Sequence, residues 1–330
     1  MVIAAEPSRG RACLVTLLAV TIACAAFAYF AVSLPAVDPS EFRSKYGPTA
    51  LIAGASEGLG AAWAEYCAAS GINLVLVARR AKPLEAIATR LRASYGVTVQ
   101  TRVFDLGNST LAAFGKAIFE DARNDIGLLI YNAAYTGSSA GIFTEDSLAM
   151  ALTAVDVNVR GPLSLVHPFL TARQRRRAPG GVVLMSSMAG LVGSAYISNY
   201  AATKAWNTAF ATGLFDEWRK RHVDVLACVA GATTTPSYLS HALASRSRAI
   251  EQSPSAVVSE CAAALGHAPT RATGMVNRLG ELALGRLLPR RVAVHVMSDG
   301  ARSTTRFEHV LPPPARGRLS DLATARGRAT

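Results

Sequence analysis

Six runs of strand length, most of them nearly all apolar, recur along the middle of the chain with helical segments between them: residues 49–53 (TALIA), 73–77 (NLVLV), 97–103, 127–131, 181–185 and 223–229. A strand with one wet face alternates polar and apolar residues, whereas strands apolar throughout must be covered on both faces. Helical crossovers supply that cover when the strands run parallel. The pattern therefore predicts an α/β fold, a Rossmann-type doubly wound parallel sheet of about seven strands with helices on both faces. The last strand is expected at the sheet edge, within 270–275, between helices at 255–266 and 276–288. Residues 291–297 (RVAVHVM) fit a strand or a helix, because periodicity does not separate the two in so short a run. No internal repeat is evident.

At 330 residues and 51% hydrophobic, the chain can bury one large core, and a single domain is expected over 47–301. The net charge of +12 raises nucleic acid as a partner. The arginines are scattered, however, with small runs at 173–177 and 286–291 and no interleaved aromatic platform, so nucleic acid is not expected. Attraction to anionic lipid or to an acidic cofactor accounts for the excess. The five cysteines, Cys13, Cys24, Cys67, Cys228 and Cys261, are odd in number, lack a CxxC and lie apart from histidine. That argues against a disulfide framework or a metal site, and they read as small apolar fillers.

Residues 12–34 (ACLVTLLAVTIACAAFAYFAVSL) carry no charge, and about 23 helical residues suffice to cross a bilayer core. The first reading of 1–34 is a membrane anchor. The second is a signal peptide, with Arg9 and Arg11 as its basic region and Ala26-Phe27-Ala28 resembling a cleavage site. The length of the apolar run favours retention. Arg43 and Lys45 flank the other end, so charge does not settle the orientation. A linker follows at 35–46, and the proline-, arginine- and threonine-bearing segment 302–330 reads as a flexible tail.

Two local features carry chemistry. After the first strand, Gly54-Ala55-Ser56-Glu57-Gly58-Leu59-Gly60 opens an alanine-rich helix; glycines there let the backbone turn tightly and approach a pyrophosphate at the positive end of the helix. Further on, Tyr200 and Lys204 stand four residues apart in a helical segment, which sets both on one face. Either feature alone is weak evidence.

Together with Asn132-Ala133-Ala134 after the fourth strand, with Asn158, and with Ser187 placed 13 positions before Tyr200, they resemble the short-chain dehydrogenase/reductase superfamily. The resemblance covers roughly 46–236. Tyr46-Gly47, the NLVLVARR segment, Tyr95-Gly96-Val97 and the apolar N-terminus are similar to its membrane-anchored branch, the 17β-hydroxysteroid dehydrogenases and very-long-chain 3-oxoacyl-CoA reductases. The resemblance implies a catalytic set. Tyr200 would be general acid in carbonyl reduction and base in the reverse, Lys204 would favour the phenolate and hold the nicotinamide ribose, Ser187 would hydrogen-bond the substrate oxygen, and Asn158 would hold a helix backbone and a relay water. It also implies cofactor contacts at Gly54, Ser56, Gly58, Gly60, Asp105 (adenine), Asn132, Tyr200, Lys204 and Thr235. At the end of the second strand stand Ala78-Arg79-Arg80 with no acid, which suits a 2′-phosphate. NADP(H) is therefore expected over NAD(H), with Arg79 as the contact. Two departures fall at the nicotinamide end. Tyr131-Asn132-Ala133-Ala134 replaces the family's Asn-Asn-Ala-Gly, and Ala230-Gly231 its Pro-Gly.

The expected function is an NADP(H)-dependent oxidoreductase that reduces a ketone or oxidises a secondary alcohol on a lipid-like substrate, such as a 3-oxoacyl thioester, steroid or retinoid. The alternative is a cofactor-binding regulator or scaffold without turnover. The lid over the substrate is expected at 236–254, which holds Tyr238, Leu239 and His241. Expected partners are the small-molecule substrate, a membrane reached through the N-terminal helix with the catalytic domain on the cytoplasmic side, and, as an option, a second copy of the chain. Export after signal cleavage is the alternative location.

Overall fold

The computed structural model of the chain describes residues 16–23, 35, 37–121, 124–137, 142–241 and 248–304. Its centre is one seven-stranded sheet, all parallel, in the order β3-β2-β1-β4-β5-β6-β7. In chain order the strands are β1 (Thr49–Ala53), β2 (Asn73–Ala78), β3 (Val99–Val103), β4 (Ile126–Tyr131), β5 (Gly180–Ser187), β6 (Val223–Ala230) and β7 (Thr270–Ala272). The inner strands are buried on both faces, β1 and β4 at every position, as their unbroken apolar runs require. Leu51 and Ile52, neighbours on β1, belong to the two core layers on opposite sides of the sheet. Each such side chain contributes about 2 to 3 kcal/mol by leaving water.

The helices that precede and link these strands are α1 (Pro39–Tyr46), α2 (Gly58–Ala69), α3 (Ala81–Tyr95), α4 (Leu111–Glu120), α5 (Leu148–Val155), α6 (Gly161–Arg176) and α7 (Ser198–Arg219). After β6 come α8 (Pro236–His241) and α9 (Pro254–Ala264), and after β7 come α10 (Met275–Leu282) and α11 (Arg290–Thr304). Residues 291–297 are thus helical, and the strand expected within 270–275 is the short edge strand β7. The chain order reverses direction between β1 and β4, which opens a crevice at their carboxyl ends.

Two expectations change. The stretch 35–46 is more than a connection: Asp38 caps α1 by accepting from the Ser40 and Glu41 amides, and Phe42 and Tyr46 bury their rings in the core. The Tyr46 hydroxyl donates to Asp224 at 2.8 Å, which fixes α1 under the start of β6. Two cysteines are not fillers, because Cys228 on β6 and Cys261 on α9 form a buried disulfide, their Cα atoms 5.7 Å apart. A count of cysteines speaks to the total, whereas pairing depends on which strand faces which helix. Cys67 is buried with a free thiol, and Cys13 and Cys24 lie outside the described residues. At the N-terminus, residues 16–23 form a short helix and the rest of 12–34 lies outside the described residues. Among the described residues no helix is long and apolar enough to cross a membrane. The chain stays helical through residue 304, and 305–330 lie outside the described residues.

Candidate active site

The glycine loop is held by contacts that leave no room for a Cβ. Gly54 sits at φ +87 and Gly58 at φ +56, conformations that L side chains rarely adopt. A Cβ on Gly60 would lie 2.0 Å from the Gly54 carbonyl oxygen and 2.7 Å from Asn132 Nδ2. Asn132 donates from that same Nδ2 to the Gly54 carbonyl at 2.8 Å, tying the loop after β4 to the loop after β1. A Cβ on Gly58 would meet the Thr235 methyl at 3.0 Å, so Thr235, following β6, closes the other side. The result is a bare backbone cradle at the amino end of α2, shaped for a phosphate-bearing ligand. Ser56 lies in it, partly buried.

Arg79 is exposed at the end of β2. Its neighbour Arg80 reaches back over the cradle, where its Nη2 pairs with Glu57 at 2.8 Å and lies 3.5 Å from Ser56 Oγ. The sequence points to Arg79 and gives no separate sign of Arg80. Only the turn between β2 and α3 shows which of two adjacent guanidiniums faces the loop. Asp105, after β3, is exposed and accepts from the Gly107 amide at 3.0 Å.

Ser187 ends β5, and Tyr200 and Lys204 lie on one face of α7, which packs along β5 and β6. The Lys204 ammonium is buried, donates to the Met185 carbonyl at 2.7 Å and stands 5.6 Å from the centre of the Tyr200 ring. Burial lowers its pKa from 10.5 to about 8. Tyr200 is pushed up from its ordinary value by burial, and a side-chain hydrogen bond with Ser187 opposes the shift. Ser186 has a different task. It is buried and donates to the Lys204 carbonyl at 2.8 Å, anchoring the helix on the strand.

Asn158 occupies a π-turn (Asp156–Arg160) where α5 passes into α6. The wider turn breaks the regular helical ladder and leaves carbonyls for outside donors. The Tyr131 hydroxyl donates to the Val157 carbonyl at 2.6 Å, and Asn207 Nδ2 to the Asn158 carbonyl at 3.2 Å. The Asn158 side chain, fully buried, accepts from the Tyr135 amide at 2.8 Å and donates to the Tyr135 carbonyl and to Thr203 Oγ1. It therefore binds the loop after β4 to the helix that bears Tyr200. Sequence reasoning missed Tyr131 and Asn207. Asn207 had a visible signal, since residues 200, 203, 204 and 207 share one side of α7.

The assembled site thus joins Ser187, Tyr200 and Lys204 to the Asn158 turn, beside a cradle made by Gly54, Gly58, Gly60, Asn132 and Thr235. The model of the short chain dehydrogenase family matches residues 48–242, and the chain belongs to that family. It is similar to a very-long-chain 3-oxoacyl-CoA reductase of Debaryomyces hansenii, 26% identical over 208 residues that cover 61% of this chain and 60% of the relative. It is also similar to a 7beta-hydroxysteroid dehydrogenase of Collinsella aerofaciens, 33% identical over 60% of this chain and 74% of the relative. Among solved structures, a short-chain dehydrogenase from Sphingobium yanoikuyae in complex with NADPH superposes with a TM-score of 0.61 at 27% identity, covering 81% of this chain and all of the other. The match spans about three fifths of the length of the very-long-chain reductase.

Proposed function

We propose that the chain is an NADP(H)-dependent oxidoreductase that reduces a ketone to a secondary alcohol, or runs the reverse, on a lipid-like molecule such as a 3-oxoacyl thioester or a steroid. The observation that carries this reading is the joining of Ser187, Tyr200 and the buried Lys204 in one cluster beside the glycine cradle. The relatives named for 3-oxoacyl-CoA and hydroxysteroid chemistry support the substrate class, and the NADPH complex of the Sphingobium protein supports the cofactor.

Glycine at 54, 58 and 60 lets the loops after β1, β4 and β6 close on one another at the amino end of α2, where the pyrophosphate of a dinucleotide would sit. Arg79 and Arg80 at the end of β2 would hold the 2′-phosphate, and Asp105 the adenine side. The hydride for the carbonyl carbon would come from a reduced nicotinamide held by Tyr200, Lys204 and Thr235. Ser187 Oγ donates to the carbonyl oxygen and holds it beside Tyr200. Tyr200 gives its phenolic proton to that oxygen as the carbon is reduced, leaving a phenolate that takes up a proton from solvent before the next turnover. Lys204 stabilises the phenolate through its charge, and Asn158 keeps the helix and the loop after β4 in register. Membrane attachment through 12–34 belongs to the same reading, as does the assignment of 236–254 to the substrate cover.

The test is a fluorescence titration of the purified full chain with NADPH and NADH, followed by a panel of ketones while nicotinamide absorbance is recorded. The expected result is tight NADPH binding and oxidation by a lipid-like ketone. Tyr200→Phe keeps the binding and loses about 10²- to 10⁴-fold in turnover. Binding without oxidation by wild type across the panel transfers the chain to the non-catalytic regulator class, and turnover unaffected by Tyr200→Phe overturns the mechanism.

A further inference from the structure

Beyond β7 the chain builds a module that presents apolar and basic side chains to the outside. On α10, Met275 and Val276 are about half exposed, and Leu287, in the π-turn (Ala283–Leu287) that follows, is 69% exposed. On α11, Val292 and Val296 are 45% and 48% exposed, one helical turn apart. Arg286, Arg290 and Arg291 lie among them, also exposed. No carboxylate occurs from 282 to 298. On one side of that stretch Glu281 is partly buried, and on the other Asp299 is already engaged by Arg302 and His295.

Isolated exposed apolar residues need no explanation, and this fold has others. Leu148 and Leu152 on α5 are 73% and 53% exposed, but acids border that helix, with Glu145 and Asp146 before it and Asp156 at its end. The charge surroundings of the two patches are opposite. An apolar surface edged with guanidiniums and poor in carboxylates matches the boundary of a bilayer that contains anionic phospholipid, where each arginine strengthens binding by about fivefold.

The module also adjoins the active site. The Ala195 amide donates to Ser298 Oγ at 2.9 Å, and the Arg302 guanidinium lies 5.0 Å from the centre of the Tyr196 ring, so α11 rests on the stretch leading into the helix of Tyr200. On α10, Asn277 lies against Gly231, and the space beside Gly280 is bounded by the methyl of Met188, the residue after Ser187. A surface seated here places the rim of the catalytic crevice at the lipid boundary.

We infer that residues 275–296 form a lipid-docking platform that seats this side of the domain on a leaflet rich in anionic phospholipid. The platform is distinct from any insertion of 12–34 and holds whichever molecule is the substrate. Its occupant is the phospholipid surface rather than a second copy of the chain, because the three arginines would face the same three across a symmetric interface.

The test uses the full chain carrying Leu287→Trp, or independently Val292→Trp, reconstituted into phosphatidylcholine vesicles with and without phosphatidylglycerol. The acyl chains are brominated, and the wild-type emission is subtracted. Both positions are exposed, so circular dichroism matching the wild type is expected. The added tryptophan should lose most of its emission in the phosphatidylglycerol vesicles, and Arg286→Gln, Arg290→Gln and Arg291→Gln together should restore it. Leu148→Trp should keep its emission. Quenching at 287 and 292 no greater than at 148 overturns the platform, as does quenching indifferent to the three arginines. Emission changes that follow protein concentration rather than lipid would assign the face to a second copy and also overturn it.

Discussion

Gly60→Ala sets two physical effects against each other. Inside α2 the residue has ordinary helical backbone, so propensity alone predicts a gain of about 1 kcal/mol for alanine. The surroundings predict the opposite. Carbon atoms in contact settle about 3.5 Å apart or more, and carbon to oxygen little closer, whereas the new Cβ would lie 2.0 Å from the Gly54 carbonyl oxygen. The obstacle is backbone, so α2 and the β1 loop must part by roughly 1 Å or more. Such a shift strains the core by about 1 to 3 kcal/mol and breaks the Asn132–Gly54 hydrogen bond, which is worth about 1 kcal/mol. The net expectation, after the propensity gain, is a loss of about 1 to 3 kcal/mol in stability. Dinucleotide affinity should fall at least as far, because the cradle itself is displaced. Gly213→Ala is the matched control, since a Cβ there meets nothing within 4 Å and should add up to about 1 kcal/mol. Urea unfolding and NADPH titration of both variants give the comparison. A Gly60→Ala protein as stable as wild type, with unchanged NADPH affinity, would refute the steric argument.

The arginines at the end of β2 are separable by experiment. Arg79→Ala and Arg80→Ala are each expected to weaken NADPH by about tenfold relative to NADH; equal losses for the two cofactors would remove that arginine from the 2′-phosphate site. Lys204→Met probes the buried ammonium through pH. The unfolded lysine holds its proton up to 10.5 and the folded one releases it at about 8. Between those values the unfolded chain binds more protons, so wild type should gain stability over the variant as pH rises through the window, by about 3 kcal/mol in all, with no trend below it. A difference that stays flat across the window would show that Lys204 is not buried as a free cation.

The sheet was legible because its inner strands are buried on both faces and need no alternation to be seen. Residues 291–297 were not, since helix α11 is covered on one side only and its exposed valines imitate a strand. The linker at 35–46 concealed a helix for a similar reason, because its burial rests on just Phe42 and Tyr46. In the site, the glycines and the Tyr200–Lys204 spacing are local in sequence and could be read directly. The choice between Arg79 and Arg80, the Cys228–Cys261 bond and the carbonyl partners Tyr131 and Asn207 depend on contacts between distant elements, which spacing along the chain does not encode.

The π-turn at Asp156–Arg160 has a consequence for how such a site can be lost. A π-turn holds one residue more than the regular helix needs, so a deletion of one residue there would let α5 run straight into α6 with its ladder restored. The helical ladder itself would gain, but the buried Tyr131 hydroxyl and Asn207 amide would lose their acceptors, at about 1 to 3 kcal/mol each. What would disappear is the inward aim of Asn158 and the pair of carbonyls that Tyr131 and Asn207 serve. The irregular turn is thus held by the buried groups fitted to it, Tyr131, Thr203 and Asn207, so a simpler helix one residue away could form only if those partners changed as well.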